Sequence, residues 1–150
     1  MSETVVIDAS LATMWAVPEP YSEQALALAD RWAQAATRLL APCLLLAEVT
    51  NALYRRVVRK EMTLEAARAA LRIILRFDIE IREEPGLQAR AMELAHRLKQ
   101  PTTYDCQYLA LAEHYRCELW TGDQRLYSAA EGKFSWVKWI GKGEFHAQNG

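Results

Sequence analysis

The sequence is poor in cysteine and lacks a long apolar run. Its three cysteines form no C-x-x-C pair, so neither a disulfide scaffold nor a zinc site is indicated, and we expect free thiols. No apolar stretch approaches the roughly 20 residues that a membrane span needs. A basic segment followed by an apolar core is absent at the N-terminus, so no signal peptide is predicted. A cytoplasmic protein is expected.

A surplus of either charge is absent as well. The chain has 18 Lys and Arg against 19 Asp and Glu, for a net charge of −1. Overall charge therefore does not favour nucleic acid, and contact with a polyanion would need a local basic patch. The length of 150 residues suits one domain with a buried core. We predict a single domain over residues 1–150, with a frayed C-terminal tail at about residues 141–150.

Short apolar runs alternate with amphipathic stretches along the chain. The predicted strands are residues 5–7, 38–42, 79–81, 117–121 and 135–140, the last at a sheet edge. The predicted helices cover residues 10–17, a long stretch from 22, 44–60, 63–77, 85–98, a stretch ending near 115 and 123–130. This alternation predicts an α/β fold, a three-layer α/β/α sandwich with a mostly parallel central sheet.

Acidic residues occur where such a fold places its functional crevice. Asp8 directly follows the first strand, and Asp123 follows the strand "LWT" by two residues. The crevice of an open α/β sheet lies outside the carboxyl ends of its strands. Asp105 lies in the first turn of its helix, and Glu48 lies in the leucine-rich segment 44–53, where a carboxylate needs solvent, a partner or a metal. Four converging carboxylates would need a cation, and oxygen ligands favour Mg²⁺ or Mn²⁺.

Helix capping is an alternative explanation for the aspartates. Asp8 or Ser10 could cap the first helix, and Asp123 could cap the helix that follows it. Thr102 and Asp105 fit a pattern similar to a capping box, in which the acid also favours the helix dipole. Spacing alone leaves both interpretations open.

Four segments together resemble a known family. In order and spacing, "VVIDAS", "AEVTNAL", "TTYDCQYLALAE" and "TGDQRL" resemble the PIN-domain ribonucleases, and more narrowly the VapC-type toxins of toxin–antitoxin pairs. The resemblance implies a metal-dependent endoribonuclease that uses Mg²⁺ or Mn²⁺ to hydrolyse RNA. It also implies a cognate antitoxin protein as partner and a homodimer. The acids that it assigns to catalysis and metal binding are Asp8, Glu48, Asp105 and Asp123.

The chain departs from the family pattern at one place. Some PIN nucleases carry a further acid just after the last aspartate, where this chain has Gln124 and Arg125. We therefore expect one metal in the resting enzyme and a second that arrives with the substrate.

Several polar and basic residues lie near the acids in the sequence. Ser10, Asn51 and Thr121 could donate hydrogen bonds to the carboxylates or to a substrate phosphate, or could be plain helix caps. Arg55 and Arg59 share a helix face with Glu48 and could bind RNA, or could belong to a solvated face.

Two other functions remain open. One is a free-standing PIN nuclease that processes RNA or acts on DNA. The other is a non-catalytic module of the same fold that binds RNA or protein, which an incomplete acidic set would favour. An aspartyl phosphatase is not indicated, because it needs D-x-D after the first strand and this chain has Asp8-Ala9-Ser10.

Overall fold

A five-stranded parallel sheet lies at the centre of the protein. The structure, a computed structural model, describes residues 3–142. The strands are β1 (Thr4–Ile7), β2 (Arg38–Ala41), β3 (Ile79–Ile81), β4 (Glu118–Thr121) and β5 (Val137–Trp139). Their order in the sheet is β3-β2-β1-β4-β5, and every neighbouring pair is parallel.

Helices connect the strands and cover both faces of the sheet. They are α1 (Ala9–Met14), α2 (Ser22–Gln34), α3 (Leu44–Val58), α4 (Leu64–Arg76), α5 (Leu87–Arg97), α6 (Tyr104–Tyr115) and α7 (Gln124–Ala130). The chain moves in one direction across the sheet from β1 to β3 and in the opposite direction from β4 to β5. Because such crossovers are right-handed, α1 to α4 cover one face and α5 to α7 the other. Within residues 3–142, no helix is both long enough and apolar enough to cross a membrane.

The predicted three-layer architecture is confirmed. All five predicted strands are present, and β5 is an edge strand as expected. The first helix is shorter than predicted, since it ends at Met14 and its last turn is followed by a bend before Pro18. Proline removes a backbone donor and disfavours helical geometry in the residue before it, so Pro18 requires the helix to end before Val17. Most of the tail for which fraying was predicted lies outside the described residues.

The core forms between the central strands and the helices. The last three residues of β1 are buried, as in a strand covered on both faces. Helix α6 is buried over most of its length, from Cys106 and Tyr108 to Ala112. A helix so enclosed cannot rotate without disrupting the core, so the polar residues on it are held in fixed directions.

The functional crevice lies between β1 and β4. These strands are neighbours, and the chain leaves them toward opposite sides of the sheet. This is the topological switch point, where α/β proteins bind ligands. Asp8 directly follows β1 and Asp123 follows β4 by two residues, so both lie at this point.

Candidate active site

Asp8 is a buried carboxylate that is held by three donors. Its side chain is only 3% exposed. One of its oxygens accepts the Ser10 hydroxyl at 2.7 Å and the Leu11 backbone N–H at 3.0 Å, so Asp8 caps α1. The other oxygen accepts the Thr121 hydroxyl. Burial raises the pKa of Asp8 to about 6, although the three donors oppose the shift.

The two hydroxyls join Asp8 to the turn after β4. Ser10 Oγ accepts the Gly122 N–H at 2.9 Å, and Thr121 Oγ1 accepts the Asp123 N–H at 2.9 Å. Gly122 favours this close approach, because a Cβ there would lie 3.1 Å from the Ser10 carbonyl oxygen and 2.6 Å from Cε at the end of the Met14 side chain. The network therefore fixes the start of α1 against the turn that carries Asp123.

Asp105 projects from the first turn of α6 and has no partner of its own. The capping box predicted with Thr102 does not form, since the N-cap is Thr103 and no side chain caps the helix. Within residues 3–142 the Asp105 carboxylate accepts no hydrogen bond and forms no ion pair. Burial, together with the charge of Asp123, raises its pKa, and the charge of Arg125 partly opposes this. A partly buried acid without a partner is an unsatisfied charge, which a cation would satisfy.

Glu48 lies on α3 and is partly buried. Its Oε1 accepts a hydrogen bond of 2.5 Å from the Tyr108 hydroxyl. Burial raises the pKa of Glu48, the bond from Tyr108 lowers it, and the charge of Asp105 raises it. Leu45, Val49 and Leu53 on the same helix are buried in the core and Leu46 is exposed, whereas Glu48 itself faces the cleft.

Asp123 both caps a helix and lines the cleft. It accepts the Arg125 backbone N–H at 2.9 Å as the N-cap of α7, and the Arg125 guanidinium lies 3.5 Å away. For Asp8 and Asp123, capping and a place in the cleft are therefore compatible. Arg125 supplies a positive charge where some PIN nucleases have an acid.

All four acids line one cleft, which has a volume of about 490 Å³. Asp105 is electrostatically central to them. The charge of Asp105 raises the pKa of Asp8 and of Glu48, and the charge of Asp123 raises the pKa of Asp105. The structure therefore brings the four acids of the predicted site together.

The donor set of the cleft fits a hard cation. Carboxylate oxygens are the ligands that Mg²⁺ and Mn²⁺ prefer. Among residues 3–142, no three acid, cysteine or histidine side chains lie close enough to hold a metal between them as they stand. All four acids nevertheless line the same cleft. Uncompensated carboxylates repel each other, so a bound cation would draw them together.

Of the other predicted site residues, most lie in or next to the cleft and one lies outside it. Ser10 and Asn51 line the cleft, and Thr121 lies behind Asp8 as a fully buried hydroxyl. Arg55 also lines the cleft. Arg59 does not belong to that lining; it follows the end of α3 and pairs with Glu61 at 3.1 Å.

Sequence reasoning missed three contributors to the cleft. Tyr108 holds Glu48, and Glu19 forms an ion pair of 3.2 Å with Arg56 across the cleft wall. Arg56 belongs to a visibly basic segment, so its charge could be anticipated. Glu19 lies in the segment "PEP", which contains no signal that it would meet α3.

The fold and the cleft define a class of protein: a parallel α/β domain with an acidic site at its topological switch point. The sequence model of the PIN domain matches residues 5–132. The chain belongs to the PIN domain family, as the resemblance predicted.

Individual relatives agree with this assignment. The chain is 41% identical over 90 residues to Ribonuclease VapC1 of Mycobacterium tuberculosis, in strains CDC 1551 and H37Rv. That match covers 59% of this chain and 65% of the relative. The fold is similar to that of PAE2754 from Pyrobaculum aerophilum, with a TM-score of 0.67 and 23% identity over 93% of this chain and 91% of the other. It is also similar to VapC20 of M. tuberculosis, a toxin that cleaves the sarcin–ricin loop, with a TM-score of 0.63 and 19% identity over 89% and 98%.

Proposed function

We propose that this protein is a metal-dependent endoribonuclease whose Mg²⁺ or Mn²⁺ is held by Asp8, Glu48, Asp105 and Asp123. The observation that carries the proposal is the unpartnered carboxylate of Asp105, which is electrostatically coupled to the other three acids in one cleft. The similarity to Ribonuclease VapC1 supports ribonuclease activity.

Hydrogen bonds already made by each acid limit the positions that it has left for a metal. A carboxylate offers about four lone-pair positions. Asp105 accepts no donor from residues 3–142, whereas three of the positions on Asp8 accept protein donors. Asp8 retains one position on the oxygen that accepts Thr121. Glu48 and Asp123 keep free positions as well, so this count excludes none of the four acids. We assign direct ligation to Asp105 and to Asp8, the most deeply buried of the four, and contacts made directly or through water to Glu48 and Asp123.

Different residues of the cleft would bind the metal, bind the RNA backbone and orient Asp8 during phosphodiester hydrolysis. A bound divalent metal would lower the pKa of its water and neutralise the charge that develops on the phosphoryl oxygens. Arg55, Arg56 and Arg125 line the same cleft and would draw the RNA backbone toward the acids. Ser10 and Thr121 keep the Asp8 carboxylate oriented.

The cellular role proposed is that of a toxin in the cytoplasm, paired with a cognate antitoxin protein and active as a homodimer. The resemblance to VapC-type toxins and the similarity to Ribonuclease VapC1 support this role. A small antitoxin gene beside the gene for this chain would support this role over that of a free-standing nuclease.

Incubation of the purified protein with total bacterial RNA tests the activity. We expect cleavage with Mg²⁺ or Mn²⁺, none with EDTA, and restoration when excess metal is added back. A single-stranded DNA of matched length serves as a control for substrate class. Absence of RNA cleavage, together with RNA binding that does not depend on metal, would favour the non-catalytic module instead.

The positions of Arg55 and Arg59 lead to a further prediction. Arg55→Ala is expected to weaken the binding of a short fluorescent oligouridine and to reduce its salt dependence by about 0.7 in log–log slope, the value for one phosphate contact on a single strand. Arg59→Ala is expected to leave both quantities unchanged, because Arg59 pairs with Glu61 outside the cleft lining. Fluorescence anisotropy at several salt concentrations without divalent metal measures both. Equal effects of the two substitutions would show that RNA follows the whole helix face.

A further inference from the structure

Tyr108 is the only buried tyrosine among residues 3–142, with 1% of its surface exposed. It lies one turn after Asp105 on α6, and its hydroxyl donates to Glu48 on α3. This hydrogen bond joins helices from the two faces of the sheet. Ala9, next to Asp8, lines the same cleft as Tyr108. The side chain of Tyr108 thus contacts the helix that carries Glu48.

The contact restricts how Glu48 can be used. The bond from Tyr108 to Oε1 is short, at 2.5 Å, as expected for a hydroxyl that donates to a carboxylate. No other donor contacts Glu48 within the described part of the chain, so Oε2 is left for a ligand in the cleft. A glutamate on a helix otherwise samples several rotamers, and only some of them face the other acids.

We propose that Tyr108 is a positioning residue, which fixes Glu48 through Oε1 so that Oε2 faces the cation held by the other acids. This inference rests on the proposed metal-dependent function. It adds that Glu48 faces the metal with one oxygen only, and that Tyr108 on α6 orients the Glu48 side chain. Asp105 and Tyr108 belong to the same buried helix, so the distance between them is fixed. Tyr108 therefore holds Glu48 at a defined place relative to Asp105.

The chain contains a matched control for this contact. The Tyr115 hydroxyl donates to Glu84 in the same way, and neither residue lines the cleft. Tyr115→Phe therefore removes an equivalent tyrosine–glutamate bond without disturbing the acids.

Calorimetric titration of Mn²⁺ into the variants tests the inference without any substrate. Tyr108→Phe keeps the buried ring and is expected to weaken Mn²⁺ binding about 10- to 100-fold, the usual effect of losing a residue that orients a ligand. In a Glu48→Ala background the same substitution is expected to change the affinity less than about twofold, because no carboxylate remains to be oriented. Tyr115→Phe is expected to bind as the wild type does.

The outcomes separate this inference from the proposed function. Wild-type affinity in Tyr108→Phe, with binding lost in Asp105→Asn, would overturn the role of Tyr108 and leave the metal site standing. An equal loss with and without Glu48 would also overturn it, since the effect would then be general to the fold. Absence of Mn²⁺ binding by the wild type would overturn both. If Tyr108→Phe fails to fold, Glu48→Asp replaces it, because aspartate keeps the charge but is too short to reach Tyr108. Glu48→Asp is expected to weaken Mn²⁺ binding to a similar extent. Wild-type affinity in Glu48→Asp would count against the inference.

Discussion

Asp105→Asn is expected to slow RNA cleavage by about a thousandfold and to weaken Mn²⁺ binding by about 100-fold or more. The substitution keeps the shape of the side chain and removes the one carboxylate of the cleft that has neither a hydrogen bond nor an ion pair within residues 3–142. Metal stabilisation of the transition state contributes several kcal/mol, so its loss should reduce the cleavage rate by about a thousandfold. Calorimetric titration of Mn²⁺ and cleavage of total RNA at saturating Mg²⁺ measure the two effects.

Asp78→Asn is the matched control for this experiment. Asp78 is exposed between α4 and β3 and does not line the cleft, so its substitution should leave metal binding and cleavage unchanged. The free energy of unfolding of Asp105→Asn without metal should equal or exceed that of the wild type, since Asp105 accepts no hydrogen bond within residues 3–142. Wild-type Mn²⁺ affinity in Asp105→Asn would reduce Asp105 to an acid that favours the helix dipole.

The central strands β1 and β2 could be predicted because they are short apolar runs, and the other three because they fall where strands alternate regularly with helices. Buried parallel strands produce such runs, and the right-handed crossover rule then limits the topology. The exact end of α1 was less predictable. Pro18 indicates that the helix must stop, whereas the position of the last turn depends on how Trp15 packs, and Trp15 stacks on Phe77 from the distant end of α4.

Two acids of the site, Asp8 and Asp123, could be predicted from backbone topology, whereas Glu48 and Asp105 were assigned to it by the resemblance to the PIN-domain ribonucleases. Asp8 and Asp123 follow neighbouring strands, so any parallel sheet with this strand order brings them together. Contacts between side chains on different helices were not predictable in this way. The bond from Tyr108 to Glu48 and the pair of Glu19 with Arg56 depend on the rotation of each helix about its axis, which only the packed core determines.

The same burial that organises the cleft opposes folding of the metal-free chain at neutral pH. Desolvation raises the pKa of Asp8, Glu48 and Asp105, so each carries its charge at a cost in the folded state. A cation would remove that cost by satisfying the charges. Metal binding and folding stability should therefore be linked, with the wild type gaining stability from Mn²⁺.

Asp8→Asn is expected to stabilise the metal-free protein at pH 8 while it abolishes metal binding. The folded state raises the pKa of Asp8 from 3.8 to about 6, so it prefers the protonated form. The stability that this group contributes is thus fully present below about pH 4 and is lost as the pH rises through about 6. At pH 8 the penalty corresponds to about 2–3 kcal/mol, which asparagine avoids. Its amide oxygen can accept from Ser10 and Leu11, and its NH₂ group can donate to Thr121.

Urea unfolding of both proteins between pH 4 and pH 8 measures this difference. The free energy of unfolding of Asp8→Asn should exceed that of the wild type at pH 8, and the difference should vanish or reverse at pH 4, where the wild-type carboxyl is protonated. Saturating Mn²⁺ should reverse the order at pH 8, because only the wild type gains from the metal. A difference that is constant across this pH range would mean that the Asp8 carboxylate is not strained by burial. If Mn²⁺ stabilised both proteins to the same extent, the metal would lie away from Asp8. Removing the charge of a direct ligand should remove the stability that the metal provides.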